Sequence, residues 1–130
     1  MIVSVFRRRL RTGRTFEEFE AAWVADEGFG VPARVFNARS LTDEREILTF
    51  GFVDIGSDEL AAAVERVAGP EAVRHRRIDD LIESTELRGF YELLTEHDFT
   101  DDPVAVRPGS EASLLAPLLE EAPAPDLTAE

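Results

Sequence analysis

The chain alternates between two hydrophobic periods. Ile2, Ser4 and Phe6 stand opposite Val3, Val5 and Arg7, a period of two that predicts a strand over residues 2–9. Thr12-Gly13-Arg14 turns the chain, and Thr15-Phe16-Glu17-Glu18 reads as a capping box. Phe16, Phe19 and Trp23 then share one helical face, with Gly28 read as the stop. Residues 33–40 and 46–54 alternate again. The second of these is apolar on both faces, which predicts a central strand covered on both sides. Ser57-Asp58-Glu59 marks a second helix start, Leu60, Val64 and Val67 give its buried stripe, and Gly69-Pro70 is expected to end it. Residues 71–84 fit either a short helix or a packed loop. Residues 86–94 form the fourth predicted strand.

The order strand, helix, strand, strand, helix, strand predicts an α+β, ferredoxin-like βαββαβ domain over residues 1–100. Its four-stranded antiparallel sheet would carry both helices on one face. The other face keeps large apolar residues in either register: Phe6, Phe50 and Phe52, or Val3, Val5, Ile47 and Val53. An open apolar face of that size calls for a partner. The expected partner is a second copy, the two sheets closing into a dimeric barrel.

Composition narrows the picture. The formal net charge is −13 and the pI about 4.5, which disfavours nucleic acid and anionic membrane surfaces. Every basic residue is Arg, a bias expected of GC-rich bacterial coding. With no cysteine, no long apolar run and no leader pattern, the expected location is cytoplasmic. Residues 101–130 hold seven acidic residues, Arg107 as their one base and five of the seven prolines. They read as an acidic Pro/Ala-rich arm whose Leu114, Leu115, Leu118 and Leu119 could dock on their own or the partner subunit.

Met1-Ile2-Val3-Ser4-Val5-Phe6, the aromatic stripe to Trp23, Phe50-Gly51-Phe52 and Leu81-Ile82-Glu83-Ser84-Thr85 together resemble the dimeric α/β-barrel superfamily. Gly28-Phe29-Gly30-Val31-Pro32 followed by Arg34-Val35-Phe36-Asn37-Ala38 is similar to an uncharacterised bacterial branch of it. The resemblance covers about residues 1–95. It implies a pocket between helices and sheet, and cofactor-independent oxygenation or isomerisation as the chemistry to expect. The alternative is a non-catalytic dimerisation or ligand-sensing module.

Four residues are candidates for that pocket. Trp23 is either pocket wall or core. Asn37, an inward amide, either meets a ligand or bonds to a neighbour. Tyr91 can place its hydroxyl at a rim. His75, within Arg74-His75-Arg76-Arg77, is either an exposed polar residue or a neutral base whose pKa its cationic neighbours lower. Haem-binding relatives make it the axial candidate for haem; otherwise no cofactor is expected. His97 reads as a surface residue, and two isolated histidines give no metal site. Arg7-Arg8-Arg9-Leu10-Arg11 with Arg14 could receive a ligand's carboxylate or phosphate, or pair with the surplus acids. Gly28-Phe29-Gly30 is read as a loop or lid. Phe50-Gly51-Phe52-Val53 echoes the RNA-recognition motif, but the acidic charge and the missing first-strand aromatic argue against that domain.

Overall fold

The computed structural model describes residues 1–24 and 28–119. Its elements run β1 (Ile2–Leu10), α1 (Phe16–Trp23), β2 (Ala33–Arg39), β3 (Glu46–Val53), α2 (Leu60–Asp79) and β4 (Ile82–Glu92). Beyond them lie a short hairpin, β5 (Glu96–Asp98) and β6 (Val104–Val106), and the single turn α3 (Ala116–Leu119). The four long strands pair antiparallel in the order β2-β3-β1-β4. This is the α+β, ferredoxin-like arrangement that the sequence predicts. No helix among the described residues is long and apolar enough to cross a membrane.

Local chemistry accounts for the helix starts. The Glu18 backbone N–H donates to Thr15 Oγ1 at 3.2 Å, and the Thr15 N–H donates to Glu18 Oε1 at 2.9 Å, which closes the capping box. Residues Ser57–Glu59 form a 3₁₀ turn ahead of α2, where Glu59 accepts from the Gly56 N–H at 2.9 Å. Gly69-Pro70 does not end α2, contrary to the sequence reading. A proline removes one helical hydrogen bond but leaves the rest of the ladder. Two inward side chains beyond it, Arg74 and Ile78, are buried and hold the continuation against the sheet. Residues 71–79 are therefore helix, and β4 begins at Ile82, four residues earlier than its alternation suggests. Two bulges in the β1–β4 pairing explain the difference, because they leave Glu86 and Glu83 unopposed and break the period of two.

Strand pairing decides the faces. Val3 lies opposite Phe52 and Val5 opposite Phe50, while Phe6 lies opposite Thr49. Neither sequence grouping is therefore right: Phe6 belongs to the helix face, and Val3 and Val5 join Phe50 and Phe52 on the open one. On that open face Phe36 stacks on Phe50 at 5.3 Å, and Phe52 meets both rings edge-on. β3 is central as expected, but within one chain only its helix side is covered.

The helix side is filled at one end only. Leu10, Phe19, Ile47, Ile78 and Ile82 form the core where β1 ends and β3 and β4 begin. Arg77 Nη2 donates to the Val24 carbonyl at 2.7 Å and ties the end of α1 to α2. The opposite end is hollow.

Of the proposed arm, residues 120–130 lie outside the described residues. Ser113 Oγ and the Leu114 N–H both donate to the Glu96 carboxylate, at 2.6 and 2.8 Å, so this stretch docks on its own chain's hairpin. Leu118 is buried, whereas Leu114 is exposed.

The two ends should respond differently to truncation. Phe19→Ala is expected to cost about 3–5 kcal/mol, because it opens a void in a packed core. Val67→Ala, at the hollow end, should cost about 1 kcal/mol or less. Urea unfolding followed by circular dichroism measures both, and equal losses would contradict the division.

Candidate functional site

The hollow end is a cavity of about 400 Å³ between the two helices and the sheet. That lies within the range of about 300–1,000 Å³ typical of small-molecule sites. Small residues keep it open. Ser4 and Gly51 face each other across β1 and β3 on the sheet floor, and α2 contributes Ala63, Ala68 and Ala72. A β-carbon on Gly51 would lie 3.0 Å from Val35 Cγ2 and 3.1 Å from Ser4 Oγ, so any larger residue there would push these side chains aside. Ile2, Val35, Val53, Ile55 and Val67 make apolar walls. Phe29 and Val31 of the Gly28–Pro32 loop also line the cavity, as do the exposed Val64 and Phe90 at its mouth.

The deep end is charged. Arg8 is 5% exposed, and its Nη1 has no hydrogen-bond partner among the described residues. Its guanidinium lies over the Phe6 ring at 4.3 Å, and that of Arg88 approaches the same ring at 5.4 Å. Arg74, 7% exposed, lies over Trp23 at 4.7 Å and donates through Nη2 to Glu71, while its Nε is buried without a partner. The His75 ring stands nearly perpendicular to that of Phe6 at 5.9 Å, and its Nε2 lies 3.5 Å from Glu71 Oε2. Burial, with repulsion from Arg74 and Arg88, pushes the Arg8 guanidinium down to about 10. Burial pushes the Glu71 carboxyl up, but His75 and Arg74 outweigh it and hold the group below its ordinary 4.5.

The four sequence candidates separate. Trp23 and His75 both line the cavity. Asn37 is not among its lining residues. Its Oδ1 accepts from Thr49 Oγ1 at 2.7 Å, and its Nδ2 donates to Glu20 at 3.3 Å, so the amide is satisfied by protein. Tyr91 lies on the open sheet face, half exposed, with its ring over Gly89. Its opposition to Val3 puts it on the side away from the helices.

Sequence reasoning missed Glu71, Arg74 and Arg88, and it held Arg8 only within the arginine run that could receive a ligand's carboxylate or phosphate. A signal that singles out Arg8 existed: it continues the parity of Ile2, Ser4 and Phe6 and precedes the buried Leu10. The outward arginines of that run pair with acids as the alternative reading supposed: Arg7 with Glu86 at 3.5 Å, Arg9 with Asp43 at 2.6 Å, Arg14 with Glu18 at 3.1 Å. No group of three or more metal-ligating side chains occurs among the described residues. Glu71 faces His75 Nε2 at 3.5 Å, so haem bound through that atom would have to displace this contact. The arrangement otherwise suits proton transfer: an imidazole set beside a carboxylate, with guanidinium groups near enough to receive developing negative charge.

Glu71 gives the site an acid signature. A carboxyl whose folded pKa is depressed adds stability that is complete above its unfolded pKa and lost as pH falls through the folded one. The stability advantage of wild type over Glu71→Gln should therefore shrink between about pH 5 and pH 3. Paired urea titrations check this, and an advantage constant over that window would contradict the assignment.

No protein-family model matches the chain, and no curated protein sequence does. Two solved structures share its fold. One is named provisionally as an antibiotic biosynthesis monooxygenase from Chloroflexus aurantiacus J-10-fl. It superposes with a TM-score of 0.53 at 14% identity, over 75% of this chain and 96% of that one. The other is an uncharacterized NIPSNAP domain protein from Burkholderia xenovorans, with a TM-score of 0.53 at 23% identity, over 72% of this chain and 95% of that one. At these identities the likeness shows the fold alone, the α+β ferredoxin-like arrangement described above.

Proposed function

We propose that each subunit binds a small, largely apolar or aromatic molecule in the cavity between helices and sheet. The observation that carries this reading is the cavity itself, with its apolar walls and its polar groups converging at one end. A purely structural dimerisation module has no use for such a space. The chemistry that fits is oxygenation or isomerisation without a bound nucleotide, in keeping with the monooxygenase name of one structural neighbour. His75, oriented by Glu71, would take a proton from an activated carbon, and the arginines would receive the charge left on the substrate's oxygen. Returning that proton to another carbon isomerises the substrate. Reaction of the anion with dioxygen, followed by return of the same proton to the terminal oxygen, would give a hydroperoxide that holds both oxygen atoms.

Titration with N-phenyl-1-naphthylamine, a neutral apolar dye, tests the binding site. One dye per chain is expected to bind and fluoresce. Val67→Phe should weaken binding by about tenfold or more, because the added ring takes the volume that the dye needs. Dye binding that ignores this substitution would place the dye elsewhere and overturn the reading.

Two copies are proposed to pair through the open sheet face. Phe36 is 42% exposed there, and the stacked Phe36, Phe50 and Phe52 adjoin Val3, Val5 and Leu48 in one apolar patch. Wild type should scatter light as a dimer and Phe50→Asp as a folded monomer. A monomeric wild type would overturn the pairing.

A further inference from the structure

The arginine run of β1 sorts itself by parity. Arg7 and Arg9 point away from the helices and meet Glu86 and Asp43. Arg11 Nε donates to the Asp80 carbonyl at 3.2 Å, and Arg14 pairs with Glu18. Arg8 alone turns inward, and it pairs with no carboxylate among the described residues. Shortage of acids cannot be the reason, since the chain has 27 acidic and 14 basic residues.

A buried guanidinium left without an acceptor is costly. Phe6 covers the face of the Arg8 group, but a ring face does not satisfy its N–H edges. Arg88, which is exposed, adds a second guanidinium beside it. It lies opposite Phe6 in the β1–β4 pairing, lines the cavity and has no ion-pair partner among the described residues. Arg74 differs, because Glu71 meets its charge. The other carboxylate acting on Arg8, Asp79, does not line the cavity. Two guanidinium groups, Arg8 buried and Arg88 exposed, thus converge on one ring that lines an otherwise apolar space.

We infer that the occupant of this cavity is a carboxylate with an apolar or aromatic body, its carboxylate received by Arg8 and Arg88. The inference rests on the reading of the cavity as a ligand site and names the class of ligand. The planar fork of arginine matches two carboxylate oxygens, and the remaining volume and apolar walls accept a ring or short chain. A small inorganic anion would leave those walls unfilled.

Calorimetric titration of the full chain with 2-naphthoate and with 2-naphthalenemethanol, its neutral analogue, tests this. The carboxylate should bind at least about tenfold more tightly, in keeping with a desolvated charge-assisted pair. Arg8→Met, which keeps an unbranched apolar stem and removes the charge, should reduce that preference to about twofold or less. Its unliganded form should also melt higher than wild type, because a buried charge is gone. Arg88→Gln, at an exposed position, tests the same preference should Arg8→Met fail to fold. Equal affinity for the two ligands would overturn the carboxylate inference and leave the cavity reading standing. A preference unchanged in Arg88→Gln and in folded Arg8→Met would overturn the assignment to these arginines. Binding of neither ligand, with no dye binding either, would overturn both readings.

Discussion

The alternation of β1 is the constraint on which the rest of the structure depends. This strand is hydrogen-bonded on both edges, to β3 and to β4, so its parity sets the parity of the whole sheet. Ile2, Ser4, Phe6, Arg8 and Leu10 face the helices, while Val3, Val5, Arg7 and Arg9 face away. A slip of one residue would bury two arginines under the helices and expose Ile2, Phe6 and Leu10. The same parity that builds the core at Leu10 therefore also delivers a single arginine beneath the cavity. Fold and site are written on one strand.

Stability and site occupy opposite ends of the same face. Phe19, Ile47, Ile78 and Ile82 close around Leu10 and anchor both helices. With that end packed, the other can be furnished with Ser4, Gly51 and alanines and left hollow. Arg8 and Arg74 stand at the boundary between the two, each covered by an aromatic ring and each with a buried nitrogen unpartnered. Such a local departure from good packing and full hydrogen bonding is expected where a protein uses a site rather than merely holds a shape.

What could be read from the sequence was what short-range chemistry determines. The capping box at Thr15–Glu18 is complete within four residues, and it appears as read. The alternation of residues 2–9, 33–40 and 46–54 is equally local, and those strands appear within a residue of the expected bounds. What depends on pairing could not be read. The sequence alone groups Phe6 with Phe50, because nothing local says that Val5, not Phe6, lies opposite Phe50. Tyr91 was a candidate by residue type, but its face follows from the β1–β4 register and the bulges at Glu83 and Glu86. Asn37 faces the helices, yet Thr49 and Glu20, distant in sequence, satisfy it first. Pro70 misled for a different reason: local propensity spoke for a break, and burial of Arg74 and Ile78 beyond it decided for a helix.

The contrast between surface and cavity carries one further consequence. A net charge of −13 surrounds a cavity lined by two buried guanidinium groups, Arg8 and Arg74, and by the exposed Arg88. The long-range field repels an anion, whereas the short-range field attracts one. At physiological salt, screening confines the repulsion to about 8 Å from the exposed charges. Buried groups are screened far less. An anion is thus not drawn in from a distance, and one that enters meets its strongest attraction only after its body has left water. Apolar surface has to come first and charge second. That order favours molecules with both features over small hydrophilic anions, which have nothing to offset the approach. On the proposed reading of the cavity as a ligand site, the acidic exterior would filter in the same direction as the apolar walls, and selectivity would arise from geometry and burial rather than from net charge.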